Sequence, residues 1–228
     1  MTVDILVHTA RAAASDEISH YGSIMRLRYP FLKTASDADL SELAHMALQE
    51  ENETAKGLLL RLFWCNMRWN KPFPLGVTPL LEYAQSDNEI LCESALGCLE
   101  AFKDKRVHDL AVLLLKTKGV KSLALGLLKM NYKKSDDGII ADAVRKATSV
   151  TQYIQSDIAD IYSRYRSVGA LPTLLHVYKR GECSHCRYNI VKAMHYCKVL
   201  PDEILAECMY DSFEDTRKFA KRMMLKNK

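Results

Sequence analysis

One arrangement of apolar positions, spaced x, x+4, x+7 and x+8, recurs six times along the chain. It reads Ala55-Leu59-Leu62-Phe63, Leu91-Ala95-Cys98-Leu99 and Val120-Ala124-Leu127-Leu128. It continues as Ile154-Ile158-Ile161-Tyr162, Cys186-Ile190-Ala193-Met194 and Thr216-Ala220-Met223-Met224. Offsets of four, seven and eight fall on one face of an α-helix, so each signature predicts a helix with a single buried stripe. Successive first positions lie 36, 29, 34, 32 and 30 residues apart. Internal periodicity in that range denotes stacked supersecondary units.

Shorter amphipathic stretches precede the signatures and predict the first helix of a two-helix unit. They run over residues 78–84, 107–114, 139–144, 170–175 and 200–205, with another starting at Asp37 behind a Ser36 or Asp37 cap. Pro79, Pro172 and Pro201 stand 12, 14 and 15 residues ahead of the next signature. Proline is tolerated in the first helical turn, where its missing N–H is not needed, so it marks one structural place three times. The turns within units are short and polar, as at Ser86-Asp87-Asn88, Gly181-Glu182 and Asp211-Ser212, and no strand-like alternation persists. Residues 70–76 read as an irregular insertion that lengthens the first spacing. Residues 1–35 read as an N-terminal capping helix or degenerate repeat, and 36–228 as one continuous array. The fold class expected is all-α.

A proline-started helix, a short acidic turn and an apolar-basic start to the second helix resemble the HEAT and HEAT-like, armadillo-type repeats. The features are clearest in Val168 to Leu175 followed by Cys186-Arg187, and in Thr216-Arg217 with Ala220. The resemblance covers residues 36–228. It implies a right-handed α-solenoid of about six helical hairpins, with the second helices lining a concave face. The family carries arginine after the first signature position. Arg187 and Arg217 keep it, Lys56 and Lys121 substitute lysine, and Cys92 and Gln155 depart. In the family that basic residue bridges the acidic turns of neighbouring repeats, which implies an inter-repeat role for Lys56, Lys121, Arg187 and Arg217.

Charge is more informative than composition. The 228 residues are 48% hydrophobic and 26% charged, as in an ordinary folded protein, with a net charge of only +4. The excess is uneven: residues 1–115 sum to −5 and residues 116–228 to +9. Within the C-terminal half, the segments 117–134, 152–166, 184–198 and 214–228 carry +12, and the stretches between them −4. The resemblance therefore implies a basic concave groove. Helical geometry at about 100° per residue sets Lys129, Lys192, Lys218 and Arg222 opposite the apolar stripe. Trp69, just before the insertion, is the candidate exposed ring beside them. The partner this implies is a protein segment with an acidic surface, and nucleic acid is the alternative.

Chemistry is otherwise sparse. There is no phosphate-cradling glycine loop, nucleophile elbow or His-Glu-x-x-His helix, and no cofactor or catalytic residue is expected. Cys183, His185, Cys186, His195 and Cys197 offer zinc-type ligands. However, His195 and Cys197 stand roughly 13–17 Å further along the same helix at ~1.5 Å per residue, too far for one ion. The seven cysteines read as reduced buried or turn thiols, with Cys186 in the core stripe. A second family comparison concerns the HEAT-like alkylpurine DNA glycosylases, which use tryptophans, an aspartate and arginine on their concave face. Asp160 with Trp64 and Trp69 could imitate that set, whereas Asp160 and Arg164, four apart on one helix, have the spacing of a surface ion pair. No apolar run reaches the ~20 residues that span a bilayer, and a cytoplasmic location is the expectation. The leading functional reading is a non-enzymatic binding module.

Overall fold

The structure, a computed structural model, describes residues 2–15, 20–64, 71–118 and 122–226. These residues form fourteen α-helices, four short 3-10 turns and no strand. The chain divides into two compact units, Met1–His108 and Asp109–Lys228. No helix among the described residues is long and apolar enough to cross a membrane.

The first unit contains α1 (Val3–Ala14), α2 (His20–Thr34), α3 (Asp37–Gln49), α4 (Glu53–Leu60), α5 (Thr78–Tyr83) and α6 (Glu89–Leu99). Its centre is α4, which packs against α1, α2, α3 and α6. That position follows from its sequence: Ala55 and Gly57 to Leu60 leave no polar face after the first turn, and all five are buried. A helix apolar all round must be surrounded. The region of residues 1–35, read from sequence as a cap, holds two helices, with α1 packed on α2, α3 and α4. In the insertion, Phe73 is buried with its ring edge-on to Phe63 at 5.2 Å, and the Lys71 ammonium donates to the Ala35 carbonyl at 2.7 Å. The described part of that loop is therefore anchored to the core.

The helix α7 (Lys105–Lys118) crosses the division and buries Val107, Ala111 and Leu115 on one stripe. The second unit continues with α8 (Ser122–Asn131), α9 (Asp137–Lys146), α10 (Gln152–Tyr165), α11 (Leu171–Arg180), α12 (Ser184–Tyr196), α13 (Asp202–Glu207) and α14 (Glu214–Lys226). Here α10 lies between α8 and α12, α9 packs on α11, and α11 closes a hairpin with α12. The turn at Cys208–Tyr210 seats α14.

The six signatures occupy α4 with its following turn, α6, α8, α10, α12 and α14. Their described positions are buried except Cys186, Met223 and Met224, which are half-buried. Val120 lies outside the described residues. Cys186 is thus a correction to its core assignment: it sits in the first turn of α12, where the stripe has barely begun to be covered. The prolines mark first helices as expected, with Pro79 and Pro172 in the first turns of α5 and α11 and Pro201 the residue that caps α13.

A further periodic element comes into view only with the structure. The residue three before the signature caps the second helix by accepting the backbone N–H of the signature's first residue. Asn52 accepts from Ala55 at 2.9 Å, Asn88 from Leu91 at 3.0 Å, Thr151 from Ile154 at 3.4 Å and Cys183 from Cys186 at 3.3 Å. Helix N-termini present donors without intrahelical partners, and such side chains satisfy one of them.

Candidate functional site

The basic residues singled out from sequence take three different situations. Lys129, in the last turn of α8, closes an ion pair with Asp157 of α10 at 2.5 Å. Asp157 is buried, and the Lys129 side chain is 29% exposed. Around it, Arg164 donates to the Lys129 carbonyl at 3.1 Å and to Met130 Sδ at 2.8 Å, and the Tyr165 hydroxyl donates to the same carbonyl at 3.2 Å. Lys129 therefore ties α8 to α10. Asp160 is exposed nearby, its carboxylate within the electrostatic reach of Lys129 and Arg164.

Burial pushes the Asp157 carboxyl up from the ordinary 3.8 to about 6, and the Lys129 charge opposes that rise without cancelling it. In the unfolded chain the same carboxyl ionises near ~3.9. The folded state therefore holds this proton more tightly. The group's contribution to stability is fully present below about pH 4 and is lost as the pH rises through about 6. A rise of that size corresponds to roughly 2–3 kcal/mol. Urea unfolding of Asp157→Asn and the parent at pH 4.5 and 7.5 checks this: the variant should gain on the parent by about that amount as the pH rises. A parallel pH dependence in the two proteins would remove Asp157 as its source.

Lys192 stands at mid-helix in α12, half-buried, with its ammonium 5.1 Å from the centre of the Tyr188 ring. Tyr188 is one turn earlier, so the i, i+4 spacing brings cation and ring face together. Lys218 and Arg222 are exposed on α14, again one turn apart. Lys218 pairs with Glu214 at 2.9 Å, and both side chains are mostly in solvent. Such a pair is screened by water on all sides and contributes little to stability. Tyr188, Asp215, Lys218, Lys221 and Arg222 together line an open hollow of about 390 Å³. Three cations and one carboxylate line it beside the Tyr188 ring, whose face also carries the Lys192 ammonium. The structure thus joins Lys218 and Arg222 in one hollow, leaves Lys192 outside its lining but in contact with Tyr188, and leaves Lys129 in a separate cluster. Trp69 lies outside the described residues.

Lys221 and Tyr188 do not stand out from sequence. The signal for Lys221 is its i, i+3 spacing from Lys218, which puts both on one side of α14. Tyr188 is signalled by its i, i+4 spacing from Lys192. Neither spacing says that the two helices present these faces to one hollow.

Of the residues given an inter-repeat role, Arg187 bonds the Asp211 carboxylate at 3.1 Å, joining the start of α12 to the turn before α14. The Asp211 side chain is 3% exposed, and it also accepts the Phe213 N–H at 2.8 Å. Arg217 donates to the carbonyls of Asp211 and Ser212 at 2.7 and 2.9 Å. Lys56 lies over the Tyr83 ring at 4.8 Å, reaching the end of the next first helix. Lys121 lies outside the described residues.

The remaining aromatic candidates serve packing. Trp64 presses its ring against Gly97, where an added Cβ would lie 2.5 Å from ring carbons. The guanidinium of Arg61 sits 5.8 Å from that ring, and Arg28 donates to the Trp64 carbonyl. Tyr162 is fully buried, edge-on to Tyr132 at 5.9 Å. The thiol of Cys197 donates to the Tyr162 carbonyl at 3.3 Å, and the exposed His185 ring meets Phe213 edge-on at 5.4 Å. Among the described residues no group of three or more His, Cys, Asp or Glu side chains is arranged to hold a metal ion. Comparison with protein-family models, with curated proteins and with solved structures finds no match to this chain.

Proposed function

We propose that this protein is a non-enzymatic binding module built from HEAT-like helical hairpins, and that the α12–α14 face takes up an acidic segment of a partner protein. The hairpin reading is supported by the side-by-side order of α8, α10 and α12 and the packing of α9 on α11. It is also supported by the Arg187–Asp211 bridge between successive hairpins. Repeats of this kind offer extended surfaces rather than deep pockets, which suits recognition of a chain segment.

The observation that carries the binding proposal is the hollow itself, in which Lys218, Lys221 and Arg222 converge beside the Tyr188 ring. Arg222 offers a planar fork matched to carboxylates, and the lysines supply mobile point charges. The Glu214 and Asp215 carboxylates at the start of α14 limit the excess and favour the helix N-terminus electrostatically.

Fluorescence anisotropy with a labelled poly-glutamate peptide tests the proposal. The triple variant K218E/K221E/R222E is expected to weaken capture at least tenfold, or ~1.4 kcal/mol. Its thermal stability should be little changed, since the altered side chains are exposed. A labelled duplex DNA of equal charge runs alongside. Preferential, steeply salt-dependent DNA binding, with a slope near −0.9 per phosphate contact, would transfer the surface to nucleic acid. Failure to bind either probe at low salt would overturn the proposal.

A further inference from the structure

Among the described cysteines, the two at the start of α12 stand apart. Cys92, Cys98 and Cys197 each donate a thiol proton to a main-chain carbonyl, at 3.2, 3.1 and 3.3 Å. A thiol used that way is held protonated and is a poor nucleophile. Cys183 does the reverse: its sulfur accepts the Cys186 N–H at 3.3 Å as the cap of α12. At the equivalent places of other units the acceptor is the oxygen of Asn52, Asn88 or Thr151. Neutral sulfur is a weak acceptor and a thiolate a much stronger one, so this position favours the ionised form.

Cys183 and Cys186 are both half-buried, which leaves their sulfurs reachable, whereas Cys98, Cys197 and Cys208 are closed off in the core. Separated by Ser184 and His185, they stand at the cap and the third residue of a thirteen-residue helix. The sulfur of one is then already within 3.3 Å of the backbone nitrogen of the other. We propose that Cys183 and Cys186 form a redox-active dithiol that a small organic disulfide converts to an intramolecular disulfide.

The two thiols have unequal parts. The Cys186 thiol and backbone N–H, then the His185 N–H and the Arg187 charge, hold the Cys183 thiol below its ordinary value against modest burial. Burial, with the neighbouring Cys183, pushes Cys186 up to about 11. Cys183 is accordingly the attacking sulfur. Its thiolate attacks one sulfur of glutathione disulfide, forming a mixed disulfide and releasing one glutathione thiolate, which takes up a proton. Cys186 then gives up its proton and attacks the Cys183 sulfur, expelling the second glutathione. Two protein thiols are oxidised to one disulfide and glutathione disulfide is reduced to two thiols, so electrons and protons balance.

Intact-mass and peptide-mapping analysis of the full chain, equilibrated in glutathione buffers of graded redox ratio, tests this. A Cys183–Cys186 link should form, with C186S trapping a glutathione adduct on Cys183 and C183S showing none on Cys186. Serine caps helices well at position 183, and at 186 it replaces a half-buried side chain of nearly the same size, so both variants should fold. Separately, iodoacetamide at pH 7 should modify Cys183 at least tenfold faster than the equally half-buried Cys92. The half-maximal rate for Cys183 should come below the ~8.5 of a free thiol. A Cys183 no faster than Cys92, or oxidation without the 183–186 link, would overturn the proposal.

Discussion

Replacing Gly57 with alanine destabilises the first unit by roughly 2 kcal/mol or more, although alanine is the better helix former by ~1 kcal/mol. The reversal of sign comes from the closeness of α4 and α6. A Cβ at residue 57 would stand 2.8 Å from the Leu91 nitrogen and 2.9 Å from the carbonyl carbon and oxygen of Ile90. These are backbone atoms in the first turn of α6, capped by Asn88, so no rotamer change relieves the overlap. The helices must separate, and Leu59 on one side and Leu91 and Ala95 on the other, all buried, lose contact with their surroundings. Urea unfolding followed by circular dichroism reads the loss, and faster amide exchange in α4 and α6 locates it. An unchanged or raised midpoint would mean that α4 and α6 do not approach each other this closely.

Asp137→Ala lowers the stability of the second unit by roughly 3 kcal/mol, because two hydroxyls lose the same charged acceptor. The Tyr132 hydroxyl donates to Asp137 Oδ1 at 2.6 Å, and the Ser167 hydroxyl to Oδ2 at 2.5 Å. Tyr132 and Ser167 are 7% and 2% exposed, so neither hydroxyl finds full replacement hydration once the carboxylate is gone. Asp137 is also the first residue of α9, where its charge favours the helix N-terminus. One side chain thus joins the end of α8, the start of α9 and the turn between α10 and α11. Urea denaturation of the single and double variants with Tyr132→Phe should show strong coupling: once the hydroxyl is absent, removing the carboxylate costs clearly less. Additive losses would mean that the Tyr132–Asp137 bond contributes little.

Much of the fold was legible in the chain because its signals are local. The Ile154-Ile158-Ile161-Tyr162 stripe predicts a helix and its buried side at once, and the structure buries all four residues. Pro79 and Pro172 announce first turns for a reason internal to proline, its fixed φ and missing N–H. The caps at Asn52, Asn88 and Thr151 emerge only with the structure, because a polar side chain three residues ahead of a stripe becomes a cap only once its oxygen meets the backbone N–H of the first turn. The helix ends were harder. Arg166 and Lys198 take left-handed backbone conformations with φ of 53° and 59°, a role usually signalled by glycine, and nothing in their side chains announces it. Phe73 was equally hidden, since its burial depends on meeting Phe63 rather than on any periodicity around it.

The candidate site divides along the same line. The order of residues is enough to make the second helices of the C-terminal half basic, and to set Lys129, Lys192, Lys218 and Arg222 off the apolar stripe. Both are properties of single helices, fixed by spacing within about ten residues. Which charges are engaged was settled by packing between helices. Lys129 meets Asp157 from a neighbouring helix 28 residues on, while Lys218, Lys221 and Arg222 share a hollow with Tyr188 of α12. Such pairings depend on how two packed helices are rotated and shifted against each other, and small shifts reassign the partner of a long side chain. The apolar stripe dictates that helices pack; the full set of side chains between them dictates the register at which charges meet.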